Sequence, residues 1–266
     1  MSALKILFIG DVVGQAGRRL VRERLPGLRA ERELDVVIAN GENAVGRGIT
    51  PATADELFAA GVDVITLGNH TWDRRELTEY LDLQRHIIRP YNYPDHYEAV
   101  PGRGWTVFQT PAGPVAVINL IGRVFLPMHA DSPFYGADQS LSAVARQAKV
   151  IFVDFHAEAT SEKQALGWHL DGRATALVGT HTHVQTADER VLPGGTAYIT
   201  DAGMTGPINS VIGAGIRPIL QRFRTQRPSR YEEADGPRVF SGVVITADTE
   251  SGHAQSIERV FEVEKT

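Results

Sequence analysis

Eight residues in five short blocks have the types and spacing to hold metal ions and move protons. Asp11 lies in Gly10-Asp11-Val12-Val13-Gly14, and Glu42 with Asn43 in Asn40-Gly41-Glu42-Asn43-Ala44. Asn69 and His70 lie in Gly68-Asn69-His70-Thr71-Trp72-Asp73, His156 in Phe155-His156-Ala157-Glu158, and His181 with His183 in Gly179-Thr180-His181-Thr182-His183. Carboxylate, amide and imidazole donors favour manganese, iron, magnesium or a histidine-rich zinc site. The chain has no cysteine, which excludes disulfides, thiolate clusters and cysteine nucleophiles. His181-x-His183 is the strongest local signal, because alternation along an extended segment puts both imidazoles on one side.

The elements that must position these residues are legible as apolar runs. Leu4 to Ile9, Val36 to Ala39, Val62 to Leu67, Val150 to Phe155 and Thr175 to Val178 read as strands, and each delivers one block at its carboxyl end. That is where α/β sheets place their sites. Helices are expected over Arg18 to Arg32 with a break near Pro26, from Thr50-Pro51 to Gly61, from about Asp73 to Leu83, near Ser140 to Ala148, and over Glu162 to Leu170. Trp105 to Gln109 and Val115 to Leu120 flank a hairpin turn, Ala197 to Thr200 reads as a strand, and Phe240 to Ala247 with Ile257 to Val263 reads as a closing antiparallel pair. The alternation indicates an α/β fold of two sheets packed together with helices outside, with no domain boundary across residues 1–266.

Each block taken singly has a plain structural reading. Asp11 could serve as a helix cap, Glu42-Asn43 as a turn, Asn69-His70 as a cap, and His156 as a buried histidine with a satisfied hydrogen bond. Gly10, Gly14 and Gly17 invite a dinucleotide-binding reading but do not form G-x-G-x-x-G. His86, His96, His129, His169 and His253 lack comparable neighbours and read as surface or packing residues. Arg18, Arg19, Arg22 and Arg24, interspersed with Glu23, read as a solvated helix face, and Arg217 to Arg230 as a solvated loop. Phe8, Phe152 and Trp105 read as core.

Composition narrows the class further. The chain has 266 residues, 42% hydrophobic and 22% charged, which is ordinary for a globular protein. A net charge of -5 argues against a broad polyanion-binding face. The first residues lack a signal-peptide pattern and are too short an apolar run to span a bilayer, so a cytoplasmic enzyme is expected, with no membrane partner.

The ordered blocks GDVVG, NGENA, GNHTWD, FHAE and GTHTHVQTAD, with the later TDAGMTGP, resemble the calcineurin-like metallophosphoesterases over nearly the whole chain. Within them the chain looks most similar to the YmdB-like bacterial phosphodiesterases. The resemblance implies a four-layer α/β/β/α sandwich of two mixed sheets flanked by helices. It also implies two metal ions, iron or manganese, in one centre. Asp11, Glu42, Asn43 and His183 would hold one metal, and Glu42, Asn69, His156 and His181 the other, with Glu42 bridging. His70 would be the catalytic histidine. Two departures from the wider superfamily belong to that branch: Val13 stands where Asp-x-His has histidine, and Gly41-Glu42-Asn43 replaces the usual aspartate block.

The expected reaction is attack of a metal-activated hydroxide on phosphorus, with His70 protonating the leaving oxygen. The resemblance points to small phosphodiesters, above all 2′,3′-cyclic nucleotides, with RNA ends as a further substrate and a homo-oligomer left open. Met204-Thr205-Gly206 or residues near Asn119 to Arg123 are candidate substrate loops. Three alternatives stand beside this reading: a nucleotide-binding protein without hydrolysis, a regulatory protein with a structural metal site, and a metal-dependent amide hydrolase.

Overall fold

The computed structural model describes residues 3–96 and 98–264. In chain order the elements are β1 (Ala3–Ile9), β2 (Asp11–Val12), α1 (Gly14–Arg32), β3 (Val36–Asn40), α2 (Pro51–Ala59), β4 (Val64–Thr66), α3 (Leu77–Leu83) and β5 (Ile87–Ile88). Then come β6 (Trp105–Thr110), β7 (Gly113–Ile121), α4 (Pro133–Val144), β8 (Val150–His156), α5 (Thr160–Leu170), β9 (Ala176–Thr180) and β10 (Arg190–Val191). The chain continues through β11 (Ala197–Ile199), β12 (Met204–Pro207), α6 (Ile216–Thr225), β13 (Arg238–Asp248) and β14 (Ala254–Val263).

Two mixed sheets form. One runs β2-β12-β13-β1-β3-β4-β5 with β14 on β13, and the other β10-β11-β9-β8-β7-β6. Within the first, β1, β3 and β4 are parallel, and within the second β7, β8, β9 and β11 are parallel. Parallel strands require crossover helices, and these cover the outer faces. Leu20, Val21, Leu25 and Leu28 of α1 pack on the first sheet, and Leu141, Val144 and Leu166 of α4 and α5 on the second. The inner faces meet in a core of alternate side chains such as Ile6, Phe8, Val36 and Ile38 against Val117, Phe152 and Val178. Phe8 and Phe152 stack across it at 5.1 Å between ring centroids. This is the four-layer α/β/β/α sandwich. Among the described residues no helix is long and apolar enough to cross a membrane.

Several element boundaries differ from the sequence reading. Helix α1 starts at Gly14 and continues through Pro26 to Arg32, because its buried leucine face outweighs the one hydrogen bond that proline removes. Arg18, Arg19, Arg22 and Arg24 are paired with Glu56, Glu23 and Glu31, and Arg24 also with Glu262. Helix α4 begins earlier than expected, at Pro133, where Ser132 Oγ accepts the Tyr135 amide, and it ends at Val144. Helix α3 begins only at Leu77, since Asp73 turns back to the His70 ring. The stretch Arg217 to Arg230 is not all loop, because Ile216–Thr225 forms α6. The Thr50-Pro51 helix start is as expected, with a reciprocal cap between Thr50 and Thr53.

Candidate metal centre

The strand ends bring the five blocks to one place because β1, β3, β4, β8 and β9 are all parallel-paired strands whose carboxyl ends lie on the same edge of the sandwich. Asp11, Glu42, Asn43 and His156 are buried. The packing there leaves room for donors and little else. A Cβ on Gly68 would lie 2.4 Å from Glu42 Oε2 and 2.4 Å from the His156 ring, and one on Gly10 would lie 2.0 Å from the Gly203 carbonyl. Only glycine lets β1 and β4 end this close to the centre.

All seven expected ligand side chains converge. His183 Nε2 is 3.6 Å from Asp11 Oδ1 and 3.2 Å from Asn43 Nδ2, which is 3.2 Å from Glu42 Oε1. On the other side His156 Nε2 is 3.1 Å from Glu42 Oε1, 2.9 Å from Asn69 Oδ1 and 3.0 Å from His181 Nδ1. Glu42 therefore stands between an Asp11-Asn43-His183 group and an Asn69-His156-His181 group. One donor atom each from Glu42, His156 and His181 lies within 4.8 Å of the other two.

The electrostatics show which charges such a site favours. Burial alone would raise the Asp11 carboxyl, but His183 beside it holds it well below the usual range. Burial likewise opposes Glu42, and His156 holds it down. Burial disfavours charge on the histidines too, yet Glu42 raises His156 and Asp11 pushes His183 up to about 9. Burial and the neighbouring charge of His156 push His181 down to about 3. Each buried carboxylate thus favours a proton on the ring nitrogen that faces it. A cation in each group would take the place of those protons. The donors fit metal.

The histidine pair reaches its place by a route that alternation does not describe. His181 and His183 both have left-handed backbone, with φ of 100° and 65°, and their rings diverge to the two groups. Such residues cost about 1–3 kcal/mol each and persist only where neighbours over-determine them. Here Thr182 donates its amide and hydroxyl to Asp201 Oδ2 at 3.1 and 2.8 Å, and the His181 amide donates to Asp11 Oδ2 at 3.2 Å.

Outer partners fix each ring. His183 Nδ1 donates to the Ile212 carbonyl at 3.0 Å, and His181 Nε2 faces Glu158 Oε2 at 3.0 Å. His156 Nδ1 is 3.0 Å from Thr180 Oγ1, which donates to Asp154 Oδ1 at 2.7 Å. Asp154 also accepts from Asn40 and Thr66 at 3.0 and 2.5 Å, and burial pushes its carboxyl up to about 6. Partners of this kind set tautomer and ring orientation. The sequence reading missed Asn40, Asp154, Glu158, Thr180 and Asp201. The available signal was an aspartate inside the otherwise apolar strand before His156.

His70 stands apart from the donors. Its amide donates to Glu42 Oε2 at 2.9 Å, while its ring Nδ1 lies 2.9 Å from Asp73 Oδ2. The first loop does not offer a nucleotide site. The amides of Gln15 and Ala16 at the start of α1 donate to the Glu233 carboxylate at 3.1 and 2.8 Å, and a Cβ on Gly14 would meet that carboxylate. The anion position at the helix start is filled from within the chain.

The fold and the ordered blocks have known counterparts. Residues 7–260 match the family described as YmdB-like protein. A Bacillus subtilis (strain 168) relative named 2′,3′-cyclic-nucleotide 2′-phosphodiesterase is 50% identical over 97% of both chains. A crystal structure of a hypothetical protein from Thermus thermophilus is 40% identical with a TM-score of 0.89, covering 98% of this chain and 100% of that one. A crystal structure titled as a novel phosphatase, from Mycoplasma pneumoniae, is 34% identical with a TM-score of 0.92, covering 99% of this chain and 95% of that one. With identity of this extent and a family match across nearly its whole length, the chain belongs to the YmdB-like protein family.

Proposed function

We propose that this phosphoesterase is a dimetal phosphodiesterase that hydrolyses nucleotide phosphodiesters, with 2′,3′-cyclic nucleotides as the preferred class. The observation that carries the dimetal reading is Glu42, wholly buried between two donor groups and within 3.2 Å of a member of each. Asp11, Asn43 and His183 would hold one ion, and Asn69, His156 and His181 the other, with Glu42 shared. The donors are oxygen and imidazole without thiolate, which suits manganese or iron. The cyclic-nucleotide preference is supported by the name of the Bacillus subtilis relative.

When bound, two such ions would neutralise the phosphate and make its phosphorus easier to attack. The chain's own residues supply the rest. Asn43 and Asn69 contribute neutral donors, so only Asp11 and Glu42 bring charge to the proposed ligand set, and a phosphate anion is not repelled. His70 takes its orientation from Asp73, which engages Nδ1 and leaves Nε2 as the nitrogen that can deliver a proton to the departing oxygen. The Glu42-to-His70 amide contact fixes that loop relative to the donors.

The test is elemental analysis of freshly purified protein, followed by a phosphoester panel after defined metal reconstitution. About two ions per chain and chelator-sensitive hydrolysis of diesters, fastest for 2′,3′-cyclic nucleotides, are expected. Diester hydrolysis that survives complete removal of metal would overturn the reading.

A further inference from the structure

Two loops at the same corner of the centre each hold out an aromatic side chain that the reaction does not use. The Gly68–Asp73 loop follows β4 and carries His70. The loop after β7 begins at Gly122, whose amide donates to the His156 carbonyl at 2.9 Å. Side-chain contacts join the two loops: Asn119 Oδ1 accepts the Leu67 amide at 3.1 Å, Asn92 Nδ2 donates to the Ile121 carbonyl at 2.8 Å, and Tyr93 Oη donates to the Gly68 carbonyl at 3.0 Å. Trp72, two residues after His70, is 39% exposed. Phe125, on the β7 loop, is 83% exposed.

Trp72 is backed on one side and borders an apolar cleft. Its ring leans on Tyr93, with centroids 5.7 Å apart and planes at 46°. Beside the pair opens a cleft of about 650 Å³ whose further walls include Pro94, Val100 and Pro101. That volume is in the range of small-molecule sites, and the walls are largely apolar. A core tryptophan would be covered. This one is anchored on one side and open on the other, and its loop is held rigid by Tyr93 and by the Thr71 hydroxyl, which donates to the Gly68 carbonyl at 2.6 Å.

We propose that Trp72, backed by Tyr93, is the platform on which the nucleobase of the substrate stacks, with the cleft receiving the base while its phosphate lies at the metal centre. The inference rests on the cyclic-nucleotide reading above. Stacking on an aromatic ring tolerates every base, because each presents a π-face, so the subsite selects nucleotides over base-free diesters without selecting sequence. Phe125 is the natural competitor for this role. It sits in left-handed backbone, φ 63°, on a loop whose Arg123 and Val124 amides are held by Glu162.

The test compares a 2′,3′-cyclic nucleotide with glycerol 1,2-cyclic phosphate, which has no base, in Trp72→Ala, Trp72→Phe and Phe125→Ala, each checked for unchanged metal content. Trp72→Ala should raise KM for the nucleotide about tenfold or more, leave KM for the base-free ester within about twofold, and leave kcat on both nearly intact. Trp72→Phe should recover most of the loss. Equal KM increases on both substrates, or a base-dependent loss in Phe125→Ala and not in Trp72→Ala, would overturn the assignment. So would a changed solution mass in Trp72→Ala without a base-dependent KM, which would make the surface a contact between copies. Wild-type protein that hydrolyses the base-free ester and no cyclic nucleotide would instead refute the cyclic-nucleotide reading, and the subsite with it.

Discussion

Lys163 Nζ lies 2.7 Å from Asp201 Oδ2, with both side chains wholly buried, and the same carboxylate oxygen accepts the amide and hydroxyl of Thr182. Lys163 also donates to the Thr180 carbonyl at 2.8 Å. The ion pair thus grips the chain at Thr180 and Thr182, the residues on either side of His181, and it fixes the backbone that sends the two rings apart.

Lys163→Met should therefore destabilise the chelator-treated protein strongly. Removing one partner leaves a buried carboxylate uncompensated, which costs about 3–5 kcal/mol. At about 2–4 °C per kcal/mol for a chain of this size, a fall in Tm on the order of 10 °C is expected by calorimetry. Adding Asp201→Asn should recover part of it. A single variant as stable as the parent would show that the pair does not hold this loop.

Glu42→Ala is expected to lower bound metal from the proposed two ions per chain to about one or fewer, because both donor groups would lose the carboxylate they are proposed to share. Plasma emission spectrometry on protein dialysed against limiting metal reads this directly. Two ions at unchanged affinity would rule out sharing.

His70→Ala should keep its metal and lose turnover. A positioned proton donor contributes about 100- to 10,000-fold. The loss should be large for a nucleoside leaving group and small for p-nitrophenolate, which departs without a proton. Equal losses on the two substrates would remove the acid role, and Asp73→Asn should show a weaker version of the same split.

The pH dependence of the metal-free protein follows from His183. Burial opposes its charge, but Asp11 wins and pushes it up to about 9 against an unfolded value of 6.5. Between those values the native chain holds a proton that the unfolded chain has lost. This contribution is fully present below about 6.5 and disappears as pH rises to about 9. Urea unfolding of stripped protein should show that decline, and His183→Gln should flatten it. Metal uptake competes with the same proton, so affinity should tighten across the same window.

Much of the candidate site is legible because its proposed donors follow apolar runs. Leu4 to Ile9 and Val150 to Phe155 are unmistakable strands, and Asp11 and His156 come at their ends. Thr50-Pro51 announced its helix through local cap chemistry. What stayed hidden depends on non-local partners. Asp154 and Thr180 became relevant only when β8 and β9 paired and set Thr180 against His156. The left-handed backbone of His181 and His183 has no signature in residue types that normally avoid it. Helix α6 reads as loop in the sequence because its arginines and Pro218 obscure an apolar stripe of Ile216, Leu220 and Phe223, none of them buried.

The pairing of β1 with β13 has a temporal consequence. The last proposed ligand is His183, so a growing chain carries every donor long before it is finished. Yet the strand that delivers Asp11 lies between β3 and β13, and the first turn of α1 is capped by Glu233. Synthesis must pass residue 248 before Asp11 has its full frame. A chain cut short after His183 would keep every proposed donor and lack β13, the strand that pairs along the full length of the one delivering Asp11.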